Sequence, residues 1–274
     1  MTIAAPKTSE SEQKDFHGEF QLVLDLLQKR HNFAFLRFSD GELYMMQNRR
    51  YKIEKDKVFL RGETHSGQWG EEELKEFIPE EQQMYREKLI EAFECVKPNY
   101  IKGISCRCCV GQEDFMWQAD HLNKAPGDNL TWANLLINGN YSRFIEEMVP
   151  EFANYNIVYV CNEAANVDNL PFDVKKTFRV GNNCHVNNYD LIQEMKNWIG
   201  QNGIEDHLFL FSAGTLSNFL IYDLFSIFAK NIYMDIGSTL NPLMEMTGWV
   251  ASRAYLRAYW LKEDNKYINM KCVW

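Results

Sequence analysis

The chain has 274 residues, 46% of them hydrophobic and 14% aromatic, which is ample for a sizeable core and far too apolar for a disordered chain. Its formal net charge of −9 disfavours a nucleic-acid groove, which needs a basic stripe to neutralise phosphates. Any anionic ligand must therefore be met by locally placed Arg or Lys, by helix N-termini or by a cation.

In chain order, residues 1–15 are small and polar and read as a flexible tail without the apolar stretch of a signal peptide. No later segment reaches about eighteen uninterrupted apolar residues, so a cytoplasmic protein with no transmembrane segment is expected. GEFQLVLDLLQKR (18–30) puts Phe20, Val23, Leu24 and Leu27 on one helical face. NFAFLRF (32–38) is the first predicted strand. KVFLRGE (57–63) reads as a short strand or loop, residues 71–96 as a charged helical stretch broken at Pro79, and NYIKGIS (99–105) as another strand. Residues 130–149 are predicted helical. Beyond them, strands at 156–162, 176–181, 207–214 and 231–237 alternate with helices at 187–202 and 215–229. Strands apolar on both faces, alternating with helices, predict an α/β, Rossmann-like fold with a mostly parallel sheet sandwiched between helices in a single domain, 1–274.

In such a fold ligands bind beyond the carboxyl ends of the strands, so the residues that follow each apolar run are the first candidates. After the first strand comes Ser39-Asp40-Gly41-Glu42, with Arg37 just behind. Glycine permits a sharp turn that aims both carboxylates at one point, and a divalent cation would relieve their repulsion; a plain turn with Glu42 favoured at a helix start is the simpler explanation. Ser212-Ala213-Gly214-Thr215 joins a strand to a helix with small residues, which suits a phosphate at the helix N-terminus but is neither a dinucleotide fingerprint nor a P-loop. Asp235 ends a strand and is followed by Gly237 and Ser238, while Arg253 or Arg257 in the stretch 252–260 is a candidate to lie over an anion. Trp69, in the loop with His65, offers a stacking face. Asn183 and His185 sit just after a strand.

Seven cysteines lack the paired spacing of a zinc ribbon or finger. The run Cys106-Arg107-Cys108-Cys109 has no second ligand pair at a useful distance in sequence, so buried free thiols are expected there.

RFSDGE (37–42) resembles the RFGDGE segment of the GT-D glycosyltransferases, nucleotide-sugar enzymes with a metal-linked Asp-x-Glu. The later GTLSNFLIYDL and NIYMDIGS segments resemble that family's Gly-x7-YDL and DIGH run. The resemblance implies that Asp40 and Glu42 hold Mn²⁺ or Mg²⁺ against the diphosphate of a nucleotide-sugar donor, most simply a UDP-sugar, whose sugar passes to a glycan or glycosylated acceptor. It implies catalytic roles for Asp40, Glu42 and Asp235, and donor contacts from Arg37, Ser39, Asn183, His185, Ser212, Ala213, Gly214, Thr215, Gly237 and Ser238. Ser39 stands where that family has Gly, and Ser238 where it has His, which puts the role of that His in doubt. Residues about 50–128 lie outside the resemblance and read as a possible acceptor-side insertion. Glu42, Asp235 and Glu163 are candidate bases for an inverting reaction. A Rossmann-like methyltransferase and a non-catalytic glycan-binding protein are the alternatives.

Overall fold

The computed structural model describes residues 15–122, 129–246, 253–264 and 266–273. Helix α1 (Phe16–Gln28) is capped by Asp15, whose carboxylate accepts the N–H groups of His17 and Gly18. The rest of the predicted tail lies outside the described residues. Strand β1 (Ala34–Phe38) leads directly into α2 (Asp40–Met46). Then β2 (Tyr51–Ile53), β3 (Lys57–Leu60), β4 (Glu63–Ser66) and β5 (Lys75–Phe77) make a separate antiparallel sheet in the order β4-β3-β2-β5.

After α3 (Gln83–Glu94) the chain returns to the main sheet as β6 (Tyr100–Ile104), followed by α4 (Arg107–Val110), α5 (Gln112–Leu122) and β7 (Asn129–Trp132). The second half adds β8 (Asn156–Asn162), β9 (Val174–Val180), α6 (Leu191–Asn202), β10 (His207–Phe211), α7 (Thr215–Ile227), β11 (Ile232–Asp235) and α8 (Ala254–Trp260). The seven strands of this sheet run in the order β7-β6-β1-β11-β10-β8-β9, and every pairing among them is parallel. The Rossmann-like expectation is met.

Alternation along β1 explains the two layers. Ala34, Leu36 and Phe38 face a core that includes Phe93 of α3 and Leu216, Leu220 and Leu224 of α7, whereas Phe33 and Phe35 face one that includes Phe20, Leu24 and Leu27 of α1. Helix α7 is buried from Thr215 through Ile221 because it lies between the sheet and its neighbours α3 and α6, which is why its sequence is apolar almost all round.

Three expectations are corrected. Residues 71–78 are not helical: after one tight turn at Glu71–Glu73 they form β5, where Phe77 is buried and packs its ring 6.1 Å from that of Tyr51 in β2. Lys75-Glu76-Phe77 pairs with β2, and this tertiary pairing outweighs the local helical preference. Residues 130–149 begin as β7 rather than a helix. Gly103 in β6 lets that strand close up, since a Cβ there would fall 2.8 Å from the Trp132 carbonyl oxygen, and Asn138, at φ +53°, breaks any continuous helix before the short helical turns at 141–152. The helix expected at 187–202 is a single turn at Cys184–Asn187 followed by α6. Within 50–128, residues 51–77 make the separate antiparallel sheet, while β6 pairs with β1 along its whole length.

Candidate functional site

Parallel strands all end on one edge, and there a cavity of about 550 Å³ opens, within the range of small-molecule sites. Its walls include the residues after β1 (Ser39, Asp40, Gly41, Glu42), after β10 (Ser212 to Thr215), after β11 (Gly237, Ser238) and after β9 (Gly181 to His185), with Arg37 and Asp235 at its floor. The candidate residues named from the sequence are thus brought together around one space. Glu163 and Arg257 are not: the first is exposed outside the cavity wall, and the second pairs with Glu263 at 2.7 Å.

The two acids of the Asp40-Gly41-Glu42 turn have different surroundings. Both lie in the first turn of α2, where the helix dipole favours negative charge. Asp40 is exposed to the cavity and accepts the Gly41 N–H through Oδ1. Glu42 is buried, and both its oxygens are engaged: Oε2 accepts the N–H of Ser39 at 3.1 Å, and Oε1 accepts the Thr215 hydroxyl at 2.9 Å. Glu42 therefore ties the start of α2 to the start of α7, and Asp40 is left facing the space.

Asp235 is buried, and burial raises its carboxyl to about pKa 7. The Arg37 guanidinium 4.0 Å away and the Gly237 N–H at 2.9 Å pull the value down, while the charge of Glu42 adds to the rise. Arg37 is itself anchored by Nε donating to the Ala133 carbonyl at 2.6 Å. Gly237 has φ +53°, and a Cβ there would collide with the guanidinium, so glycine is needed both for the turn and for the approach of Arg37.

Several predicted donor contacts also have structural partners. Ser212 donates to the Gly237 carbonyl at 2.5 Å and meets the Tyr159 hydroxyl at 2.8 Å, locking β10, β11 and β8 together at their ends. Asn183, in the left-handed region at φ +51°, accepts the Glu76 N–H and donates its own N–H to Leu74, fastening the small sheet to the loop after β9. His185 is buried against the edge of Tyr85, and its Nε2 has no hydrogen-bond partner among the described residues. Burial and the nearby Lys75 lower its pKa to about 4, so the ring is neutral at physiological pH. Gly214, at φ +50°, begins α7 and exposes the helix N-terminus to the cavity.

Two cations reach the site from distant parts of the chain. Lys75 comes from β5 of the small sheet, in a segment that reads as helical from sequence, which hides it as a site residue. Arg253, a candidate from its sequence stretch, precedes α8 and donates through Nε to Ser238 at 3.0 Å, while its Nη2 lies 3.3 Å from Glu73. Trp69 is on the wall, whereas His65 is on exposed β4. A single basic residue in an acidic segment carries no local signal, and Lys75-Glu76-Phe77 has no strand alternation to reveal it.

No family model matches the chain, and no curated protein matches it. Among solved structures it is similar to a glycosyltransferase (DUF1792) from Streptococcus sanguinis, with 14% identity, a TM-score of 0.49, and coverage of 84% of this chain and 82% of the other. It is also similar to a protein described as the domain of unknown function 1792 with a distinct glycosyltransferase fold, at 12% identity and a TM-score of 0.49, covering 84% and 79%. A selenomethionine-substituted structure of DUF1792 matches at 12% identity with a TM-score of 0.47 and the same coverage. Identity this low leaves the chemistry to be read from the residues of this chain. Among the described residues no helix is long and apolar enough to cross a membrane.

Proposed function

We propose that the chain is a glycosyltransferase that binds a nucleoside diphosphate-sugar in the cavity at the strand ends and passes the sugar to a glycan or glycosylated acceptor. The observation that carries this reading is the meeting of Asp40, the α7 N-terminus and Asp235 around one space, with Arg37, Lys75 and Arg253 on its walls. A diphosphate needs positive partners, and in an acidic protein these are the local ones available. The resemblance of RFSDGE and of the two later segments to GT-D enzymes points the same way.

The carboxylates fit a divalent cation in one respect. Mn²⁺ or Mg²⁺ is commonly held by one or two carboxylates together with substrate phosphates, and Asp40 presents a carboxylate on the cavity wall. Asp40 would ligate the ion directly, and Glu42, with both oxygens already bonded, would hold α2 in position behind it. When bound, the ion would supply charge stabilisation to the departing diphosphate.

The remaining work falls to the chain's own groups. Arg37 and Lys75 offset phosphate charge, the N–H groups at the start of α7 meet phosphate oxygens, and Trp69 offers a face for a base or sugar. Buried His185 packs against Tyr85 in the cavity wall. Of the candidate bases, Asp235 fits best, since it combines a place in the cavity with a pKa near neutrality; Glu42 is tied down and Glu163 is outside. The small sheet of 51–77 contributes Tyr51, Ile53, Val58, Leu60 and Lys75 to the cavity wall and is the proposed acceptor side. A methyltransferase is disfavoured because α2 starts two residues after β1, leaving no glycine-rich loop for an adenosyl cofactor.

The test is donor turnover with a panel of uridine, guanosine and thymidine diphosphate sugars, with and without Mn²⁺ or Mg²⁺. Turnover that needs the metal and collapses in Asp40→Asn supports the assignment. Metal-independent turnover retained in that variant rejects it.

A further inference from the structure

Outside the proposed chemistry, the cysteines passed over as free thiols converge. The Sγ atoms of Cys106, Cys108, Cys109 and Cys272 all lie within 4.8 Å of one another. Three come from the turn that begins α4 just after β6, and the fourth from the carboxyl-terminal segment. Sequence spacing gave no hint of this, because the missing ligand is supplied by a tertiary contact. Cys106 and Cys272 are buried, while Cys108 and Cys109 are open to solvent, so the cluster has a closed inner side and an outer side through which an ion can enter.

From these residues we propose a structural Zn²⁺ site with four thiolate ligands, Cys106, Cys108, Cys109 and Cys272. A tetrahedral zinc with Zn–S bonds of about 2.3 Å holds its sulfurs about 3.8 Å apart. The separations are 2.7 Å for Cys106–Cys108, 3.2 Å for Cys106–Cys109 and 4.0 Å for Cys108–Cys109, so a tetrahedral ion requires shifts of about an ångström or less. Sulfurs closer than van der Waals contact repel unless something is shared between them. A disulfide engages only two of them, whereas an ion engages all four. Thiolate-only tetrahedral ligation selects zinc or iron, and so compact a set is sized for a single ion rather than a cluster of several.

Hydrogen-bond donors surround the sulfurs as they do around thiolates. Asn134 donates through Nδ2 to Cys109 Sγ at 3.0 Å, and the backbone of Val273 bonds to Cys108. The carboxyl-terminal segment is also held by the Gly139 N–H donating to the Met270 carbonyl at 2.9 Å. Zinc would staple this segment to the loop after β6. Cys109 and Asn134 also line the cavity, and the region leading to Cys272 carries Arg253 and Tyr255 on the cavity wall. The proposed staple therefore borders the site and stands independently of the reaction assigned to it.

The full chain, expressed in medium with zinc and iron and purified without chelator under reducing conditions, is assayed by elemental analysis and by thiol titration before and after chelation. About one zinc per chain is expected, with the four thiols becoming reactive only on chelation. Cobalt exchange should give sulfur-to-metal charge-transfer absorption and tetrahedral visible bands. Limited trypsin digestion should reach Lys262, Lys266 and Lys271 faster once zinc is removed. Cys272→Ser should lose zinc, Cys95→Ser should keep it, and Asn134→Ala should weaken zinc retention by roughly tenfold. Iron in place of zinc, a disulfide among the four found by mass spectrometry, or free thiols that take up no zinc on reconstitution would each overturn the proposal. The wild-type measurements decide the question even if Cys272→Ser does not fold.

Discussion

Asp235 gives a test of the site that does not depend on finding the substrate. Its carboxyl is raised from 3.8 to about 7, chiefly by burial. A raised carboxylate pKa means that between these values the folded chain keeps a proton that the unfolded chain has released. Stability from this group is therefore fully present below about pH 4 and is lost as pH rises toward 7. A shift of about three units at 1.36 kcal/mol per unit corresponds to about 4 kcal/mol, and about 3 kcal/mol of it falls in the measurable window from about pH 4.5 to 7. Asp235→Asn keeps the size and removes the titration. Urea unfolding of both proteins across this range should show the wild type losing stability relative to the variant by about 3 kcal/mol as pH rises. Taking the difference cancels groups common to both proteins. Parallel profiles, within about 0.5 kcal/mol throughout, would refute the reasoning. A variant that lost ground with rising pH would refute the sign as well.

Other expectations follow from the same geometry. Thr215→Val removes the hydroxyl that donates to buried Glu42 while keeping the shape, and should cost about 2 kcal/mol in urea unfolding, the usual range for a hydrogen bond to a charged group. Gly237→Ala places a Cβ against the Arg37 guanidinium at a positive φ; it should destabilise by roughly 2–3 kcal/mol and weaken nucleotide binding, read by calorimetry. Asp40→Asn, at an exposed position, should leave the urea midpoint within about 0.5 kcal/mol of wild type while abolishing any effect of Mn²⁺ on nucleotide affinity. If Asp235 is the base, turnover should rise with pH up to about 7 and then level; a rate flat from pH 5 to 8 would exclude it.

The sequence by itself determined the layered parallel architecture, because runs such as 33–38 and 208–211 are largely apolar on both faces and that pattern is local. It also determined where the candidate acids lie: a buried strand that stops at Ser39-Asp40 must put its next residues at the sheet edge, and the same holds for Asp235 as the last residue of β11. Tertiary structure alone decided which of these acids faces the cavity. Asp40 and Glu42 are equivalent in sequence, but only Glu42 meets Thr215, a contact between residues far apart in the chain. Lys75 and Arg253 reach the cavity by strand pairing and a returning carboxyl-terminal segment, and Cys272 reaches Cys106 in the same way. Closing such long loops costs little more entropy than closing short ones. Partners in space are therefore chosen by packing and pairing, which leave no periodic mark on the segments they join.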